Sequence, residues 1–227
     1  MKRLSILLVS VIASITMLSA QQKQVVINHD YMGFSGIEAN DNFEINILYS
    51  DSHSIKVTAN SSIEEYVQAY VKDGVLYMNI DERAMPSELK KEFKAKNSVI
   101  SKVKADISMV ALKSLTINGS SVVNITDTLS VDKLSVKLAK TALVKSMNVK
   151  AKSSVLVDVS GKSQAYMYLS APAMTVSATN SAKSELKIDA GRLTVSASSF
   201  AKVELWGKSE SVSLNAEGNA KVEFNSK

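Results

Sequence analysis

Few side chains in this 227-residue sequence have the types and spacing that catalysis or metal binding requires. The only histidines, His29 and His53, lie near the start of the chain in segments that we interpret as surface. Cysteine is absent, and four N-terminal aspartates show neither EF-hand nor zinc spacing: Asp41, Asp51, Asp73 and Asp81. We therefore predict no catalytic residue, no metal site and no cofactor.

One carboxylate pair could still cleave a polysaccharide. Glu185 and Glu204 are nineteen residues apart and would lie side by side if the chain stacks with that period. The simpler interpretation is a ladder of like side chains on neighbouring strands, offset by a parallel ladder of lysines. A polysaccharide-acting enzyme is therefore an alternative hypothesis, and a non-enzymatic protein is the favoured one.

Three aromatic residues are the candidate ligand-binding surface. In a nineteen-residue register Tyr166 shares a row with Glu185 and Glu204, while Tyr168 shares a row with Lys187 and Trp206. Exposed aromatic rings with polar ends are common anchors for sugars and protein partners. The alternative is that these rings are covered by a connector or by a cap at one end of the fold.

The period itself comes from a repeat near the C-terminus. Three five-residue runs follow one another at nineteen-residue spacing, and each is preceded, across three residues, by a second apolar run. The pairs are 174–178 with 182–186, 193–197 with 201–205, and 212–216 with 220–224. The unit is thus two short strands around a three-residue corner.

Alternation along each strand predicts which side chains face the interior. Met174, Val176, Ala178, Ala182, Ser184 and Leu186 fall on one face, and we predict that this face is the core. Ser184 is the polar member of the set, so we expect its hydroxyl to hydrogen-bond to backbone.

Further units can be found upstream. Two of them begin at Leu115 and Leu134, and a third begins either at Met147 or, in a second register that restores the nineteen-residue step, at Val155. Both registers remain open at this point. A diverged unit surrounds the corner at residues 40–42, with Ile37 and Ala39 before it and Phe43, Ile45 and Ile47 after it.

The N-terminal part is less regular. Residues 55–59 and 75–80 predict strands, and residues 61–72 have helical spacing, which predicts a short helix or one helical turn. The charged segment 82–98 is either a solvated helix after Pro86 or a mobile connector. We divide the chain into 1–20, a signal peptide; 21–81, an N-terminal β portion; 82–98, a connector; and 99–227, the repeats.

The first twenty residues indicate export. Lys2 and Arg3 precede a run of about fifteen mostly apolar residues from Leu4 to Leu18, and small residues follow up to a cleavage site near Ala20. This pattern is typical of a signal peptide, and the run is too short for a membrane span. We expect no membrane span after cleavage, and a periplasmic, cell-surface or extracellular location. Beyond Ala20, 25 basic residues face 22 acidic ones without clustering, so we predict no nucleic-acid partner.

These patterns predict an all-β protein: a right-handed β-helix or β-solenoid with coils of about nineteen residues and an N-terminal β-rich portion containing a short helix. A β-sandwich or barrel is the competing fold, since both contain many short strands. Identity at a fixed offset over three successive units favours the solenoid, because sandwich strands have no reason to repeat lysine and glutamate in register.

The segments that begin at Phe34, Phe43, Ile55 and Val71 resemble the opening of the putative auto-transporter adhesin "head GIN" domain family, and the Ala-Lys-Val-Glu units resemble its repeats. The resemblance spans residues 25–224. It implies a secreted β-helical protein with a proposed role in adhesion and no catalytic residues. The family's Gly-Ser-Gly corners are replaced here by other small residues, as at Gly119-Ser120-Ser121.

We therefore expect an exported, non-enzymatic, adhesin-like binding scaffold of the bacterial cell envelope, whose partner is a carbohydrate or a protein at the cell surface. The alternatives are the polysaccharide-acting enzyme and a purely structural envelope protein. The oligomeric state does not follow from these patterns.

Overall fold

The computed structural model describes residues 23–226, so the predicted signal peptide lies outside the described residues. The described chain forms fourteen strands and one α-helix, α1, at Ser87–Lys94. The strands are β1 Gln24–His29, β2 Gly36–Asp41, β3 Phe43–Tyr49, β4 Ser54–Asn60, β5 Val67–Lys72, β6 Val75–Ile80, β7 Val103–Met109, β8 Ser114–Gly119, β9 Val122–Lys140, β10 Leu143–Val159, β11 Gln164–Ala178, β12 Lys183–Ala197, β13 Lys202–Ala216 and β14 Lys221–Ser226.

The strands wind into a β-solenoid of about six turns, with coils about twenty residues apart. This confirms the predicted fold class. Each coil passes through a tight corner, and the strands on either side of the corners stack in parallel on the equivalent strands of the next coil. We call the ladder before the corners the pre-corner face (β6, β2, β8 and the second halves of β9–β13). The ladder after them is the post-corner face (β7, β3, the first halves of β9–β13, and β14).

The core is the space between the two faces, and alternation selects its residues as predicted. All six side chains from Met174 to Leu186 that were assigned inward are buried. The phase of alternation changes within each long strand, as between Ala171 and Met174, where the strand bends from one face to the other. No single coil could exclude water from these side chains, so each depends on the coils above and below it.

The three-residue corners share one backbone device. Their middle residue has a positive φ in most coils, as at Asn180 (62°) and Ser199 (64°). That conformation reverses the chain direction within three residues and turns backbone groups toward the next coil. The corners then stack through hydrogen bonds such as Phe200 N to Asn180 O (2.8 Å) and Asn219 N to Ser199 O (2.8 Å).

The structure resolves the two registers left open upstream. Val155 pairs with Met174 and Leu134, which selects the second register, and a unit beginning at Met147 is wrong. Residues 147–151 instead lie on the post-corner face. Two irregularities in β10, near residues 145–147 and 151–153, take up the extra residues of these longer coils. The sequence does not reveal these two irregularities, because side chains still alternate normally on either side of a bulge.

The first upstream unit is displaced by two residues from its predicted place. Leu115 pairs with Val136 and not with Leu134, the first residue of the next unit, so the corner is 118–120 and Gly119 is its middle residue. A Cβ on Gly119 would lie 2.1 Å from the backbone oxygen of Asp41. The glycine is therefore required by the close approach of the neighbouring corner.

The diverged unit near Ile37 is confirmed as a coil. Ile37 and Ala39 in β2 pair in parallel with Leu115 and Ile117 in β8, and Ile45 in β3 pairs with Val123 in β9. On its other side this coil is covered by β6 and β7, which come later in the sequence. The chain therefore leaves this coil, forms β4 to β7, and returns to its opposite side at β8.

Both segments with predicted helical structure contain some. Within 61–72 it is the one helical turn of the two alternatives: Glu64–Tyr66 forms a single 3-10 turn, and β5 follows as a strand that pairs with β6. The segment 82–98 does contain a helix, α1, which joins β6 to β7 and buries Phe93. Beyond Tyr66, pairing with β6 prevents a longer helix, because a strand edge supplies hydrogen bonds that an isolated helix of this length cannot match.

Buried serines in the stack differ in their hydrogen bonding. Ser121 is fully buried, accepts a hydrogen bond from Phe43 N (3.0 Å) and donates one to Asp41 O (3.2 Å). Ser184 is equally buried, but its Oγ has no partner among the described residues, so the expected backbone hydrogen bond is wrong. Its neighbours in the stack are Ala165 and Val203, which offer no side-chain partner.

This difference predicts opposite effects for one substitution at two sites. Ser184→Ala removes an unpaired buried hydroxyl and should raise the free energy of unfolding by about 1 kcal/mol, whereas Ser121→Ala removes a satisfied one and should lower it by about as much. Denaturant unfolding of both variants measures the two signs. A loss of stability in Ser184→Ala as large as that in Ser121→Ala would contradict the assignment.

Candidate functional site

The post-corner face presents outward rows that run along the solenoid, perpendicular to its strands. In one row Tyr168, Lys187 and Trp206 pair in consecutive strands, and in the adjacent row Tyr166 pairs with Glu185. The predicted side-by-side placement of the three aromatic residues therefore agrees with the register of the strands. Tyr168 and Trp206 are two strands apart, which corresponds to roughly 9–10 Å between their backbones.

These residues line one shallow, open groove of about 330 Å³. Tyr168 is exposed, and Tyr166 and Trp206 are half-buried. Lys145, Asn148, Glu185 and Lys187 supply polar groups to the same groove. The Tyr166 hydroxyl donates a hydrogen bond to Oε1 of Gln164 (2.9 Å), the outward side chain two residues earlier on the same strand.

The connector does not cover this groove. Residues 82–98 join β6 to β7, which lie near the N-terminal end of the stack, whereas the groove lies on β10 to β13. The ladder between β7 and β10 contains β3 and β9. The alternative in which the connector packs over the aromatic residues therefore does not apply to this arrangement.

The lysine and glutamate ladders form as predicted. Lys183, Lys202 and Lys221 pair in one row, and Glu185, Glu204 and Glu223 pair in the next. Ion pairs join the rows within a strand: Lys183 Nζ lies 2.5 Å from Glu185 Oε1, and Lys202 contacts Glu204. Each carboxylate in these pairs is thus neutralised by the lysine two residues before it.

The ion pair also argues against acid catalysis by Glu204. The hydrogen bond from Lys202, together with the charges of Lys202 and Lys183, lowers the pKa of the Glu204 carboxyl despite some desolvation. The same hydrogen bond raises the pKa of Lys202. A general acid in glycoside hydrolysis needs a raised carboxyl pKa, which is the opposite direction.

A second polar cluster lies on the same face near the N-terminal end, and the sequence did not reveal it. Lys56, Asp106, Asn46 and Asn124 pair across β4, β7, β3 and β9. Asp106 accepts hydrogen bonds from Asn46 Nδ2 (2.8 Å) and Lys104 Nζ (3.0 Å). Only the insertion of β7 between β3 and β4 brings these residues together, and no local pattern encodes that insertion.

The electrostatics of Asp106 have opposing causes. Partial burial raises the pKa of this carboxyl, but the hydrogen bonds from Asn46 and Lys104, with the Lys104 and Lys56 charges, lower it more, so the net direction is down. The cluster lines an open groove of about 360 Å³. It holds no aromatic side chain and is a structural feature of the N-terminal coils.

A larger cleft of about 470 Å³ lies between β1, β3 and β7. Its charged lining consists of Glu44, Lys102, Lys104 and Lys145, and its aromatic residue, Phe43, is buried in the core. The cleft thus lacks the exposed rings of the smaller aromatic groove, and it offers mainly flexible lysines to a ligand.

Both histidines lie at the N-terminal end, far along the sheet from the glutamate ladder. The His53 ring packs on Phe34 and its Nε2 lies 2.8 Å from the Phe34 carbonyl oxygen. His29 stacks on Tyr31, and burial lowers its pKa, an effect partly offset by Asp30. Within residues 23–226 no group of three or more His, Cys, Asp or Glu side chains could hold a metal ion.

A family model described as "Putative auto-transporter adhesin, head GIN domain" matches residues 33–226. The chain belongs to this family. The resemblance noted in the sequence is therefore confirmed, and it covers both the N-terminal coil and the repeats. No match is found among curated proteins.

Solved structures share the head GIN fold at low sequence identity. A putative adhesin from Bacteroides fragilis is 16% identical with a TM-score of 0.59, covering 89% of this chain and 97% of its own. A putative adhesin from Parabacteroides merdae is 12% identical (TM-score 0.52; 90% and 97% covered). A putative lipid binding protein from Parabacteroides distasonis is 15% identical (TM-score 0.50; 91% and 98% covered). At these identities the likeness establishes the fold.

Helices add nothing to the question of membrane association. Among the described residues, no helix has both the length and the apolar character needed to cross a bilayer. The one α-helix, α1, has eight residues.

The Asp106 cluster generates a pH-dependent prediction. Because the folded-state pKa is below the unfolded one, the carboxylate stabilises the protein above its unfolded pKa, and this contribution is lost as the pH falls through the folded pKa. Asp106→Asn should lower the free energy of unfolding at pH 7 by about 0.5–1 kcal/mol, since the pair with Lys104 is partly exposed.

Thermal unfolding from pH 7 to pH 2 measures this effect. The difference between Asp106→Asn and the parent protein should shrink below about pH 4. Asp73→Asn is the matched control, because Asp73 lies in the exposed turn between β5 and β6 with a φ of 51° that asparagine also adopts. A constant difference at every pH would contradict the assigned role of the carboxylate.

Proposed function

We propose that this head GIN protein is an exported, non-enzymatic scaffold of the bacterial cell envelope that binds a carbohydrate through the groove formed by Tyr166, Tyr168 and Trp206. The single observation behind this proposal is the placement of three partly or fully exposed aromatic side chains, two from β11 and one from β13, around one open groove. The signal-like segment 1–20 supports export, and the family's description supports adhesion.

Carbohydrate fits the chemistry of the groove better than a protein surface does. The apolar faces of sugar rings stack on aromatic side chains, and their hydroxyls need donors and acceptors at the rim. Lys187 lies between Tyr168 and Trp206, and Asn148 and Glu185 border them. Tyr168 and Trp206 belong to one row, and the roughly 9–10 Å between their backbones is about the length of two sugar units of an extended chain.

The two other hypotheses have less support. For the polysaccharide-acting enzyme, the glutamates of the ladder form ion pairs with lysines, and the pKa of Glu204 is lowered. For the purely structural protein, the gathering of three aromatic side chains around one groove has no role in the stack of coils, whereas a single exposed ring would need no explanation. One structural neighbour is a putative lipid binding protein, so the binding experiment also includes phospholipid vesicles.

The binding experiment compares the chain from Gln21 with two variants on an array of envelope glycans and on phospholipid vesicles. Trp206→Ala should weaken glycan binding at least tenfold, because ring stacking contributes about 1–3 kcal/mol. Phe200→Ala is the control, since it removes an exposed aromatic ring that lies at a corner outside the groove.

The outcomes of this experiment separate the hypotheses. Equal loss of binding in both variants, or no glycan binding by the parent protein, would contradict the proposal. Binding to vesicles alone, unchanged in Trp206→Ala, would assign a lipid surface instead of a glycan.

A turnover experiment tests the enzyme alternative separately. Incubation with the same glycans, followed by product analysis, should show no cleavage by the parent protein or by Glu185→Gln and Glu204→Gln. Cleavage by the parent protein that both substitutions abolish would contradict the non-enzymatic assignment, whereas cleavage that neither affects would indicate a contaminant.

A further inference from the structure

The two ends of the solenoid are covered differently. At the N-terminal end β4 and β1 continue the sheet beyond β7, and β5 continues it beyond β6, all in antiparallel orientation. Core residues beneath these strands, such as Leu76 and Ala105, are fully buried. The antiparallel strands thus act as a cap that ends the parallel stack.

The C-terminal end has no such cover among the described residues. The second half of β13 (212–216) pairs only with β12, and β14 pairs only with β13. Val212 and Leu214 are 38% and 43% exposed, although their equivalents one coil earlier, Leu193 and Val195, are buried. Two free strand edges and the apolar side chains between them form what we call the open end (residues 212–224).

A free edge of this kind is a template for strand pairing. We propose that the open end pairs with the open end of a second copy of this chain, in a two-fold symmetric dimer with antiparallel edge strands. The occupant is assigned from the open end's own sequence, which is complementary to itself in charge, in size and in symmetry.

Charge complementarity selects one register along β14. Residues directly opposite in an antiparallel pair point to the same side, so the two-fold axis must pass through a residue that faces its own equivalent. With the axis at Val222, Lys221 lies opposite the partner's Glu223. By symmetry, Glu223 lies opposite the partner's Lys221, so the dimer contains two such ion pairs. An axis at Lys221 or at Glu223 would set like charges against each other.

Size complementarity follows from the same register. Ala220 lies opposite the partner's Phe224, so a small inward side chain meets a large one on both sides of the axis. Ala220, Val222 and Phe224 pack against the core from below. The partner's residues would continue that core across the interface, as one coil continues it for the next.

The second edge strand, residues 212–216 of β13, can pair with its equivalent about the same two-fold axis. Leu214 and Val222 lie four residues before and after the middle of the corner, Gly218, on opposite faces of one coil. An axis that passes through both faces therefore places Leu214 opposite the partner's Leu214, and Val212 opposite the partner's Ala216. One two-fold operation thus pairs both edges at once, which a closed dimer requires.

The contact is small for a dimer. Six residues of strand and two sheets about 10 Å apart give a cross-section of roughly 20 Å by 20 Å. That is at the low end of specific interfaces, so association should depend on concentration in the micromolar range.

Sedimentation or light scattering of the chain from Gln21, over about 1–500 µM, tests the proposal. The parent protein should approach a dimer, and Lys221→Glu and Glu223→Lys should each weaken dimerisation at least tenfold. The double variant Lys221→Glu/Glu223→Lys should restore it. Matched controls are Lys183→Glu and Glu185→Lys, the same pair in an inner coil, which should leave dimerisation unchanged.

Crosslinking gives a second readout that does not depend on affinity. The chain contains no cysteine, so Val222→Cys introduces a single thiol on the proposed axis. Directly opposite residues in antiparallel strands are about 4.5–5.5 Å apart at Cα, which suits a disulfide. Mild oxidation should give a covalent dimer, whereas Glu217→Cys, at a corner about 20 Å from its equivalent, should not.

Several results would overturn the dimer. A parent protein that stays monomeric at the highest concentration contradicts it, and so does a charge reversal at Lys221 without effect. Species larger than a dimer would indicate head-to-tail stacking of open end on capped end instead. Equal crosslinking of Val222→Cys and Glu217→Cys would show random collision.

Discussion

The backbone hydrogen-bond ladder between consecutive coils is the interaction on which the rest of the structure depends. It fixes each strand directly above its equivalent, and the stacked corners, joined by contacts such as Phe200 N to Asn180 O, prevent slippage. Once the register is fixed, every inward side chain meets its counterpart from the next coil, so the core consists of rows and not of isolated contacts. Even Ser184, whose buried hydroxyl has no hydrogen-bond partner among the described residues, keeps its inward position because the strands on both sides fix the register.

The same ladder converts sequence periodicity into surface chemistry. Side chains nineteen residues apart become neighbours at about 4.8 Å, which is how the lysine and glutamate rows arise. Tyr168 and Trp206 are 38 residues apart in sequence and yet share one groove. A binding surface on this fold can therefore be assembled by changing one outward residue per coil, without any change in the core.

Most of the fold could be predicted where the period is constant. From Val155 onward the corners, the inward residues and the outward rows follow from alternation and spacing alone. Prediction failed where the physical determinant is non-local, as for the bulges in β10 and the backbone contact that requires Gly119. The helical turn within 61–72 was predicted, but the strand pairing that ends it at Tyr66 was not. The Asp106 cluster was missed for the same reason, since it depends on β7 entering between β3 and β4.

The proposed dimer has a geometric consequence for the proposed ligand. Because the two-fold axis passes through both faces of the solenoid, the post-corner faces of the two copies would form one continuous surface. Trp206 lies three strand spacings from the partner's Trp206, and the antiparallel register offsets the two by about six residues along the strands, which gives roughly 25 Å between them. Two weak grooves at a fixed separation on one surface bind a repeating polymer far more tightly than one groove does, because the second contact is intramolecular. An adhesin with a shallow site gains most from this arrangement, since each site alone buries little area.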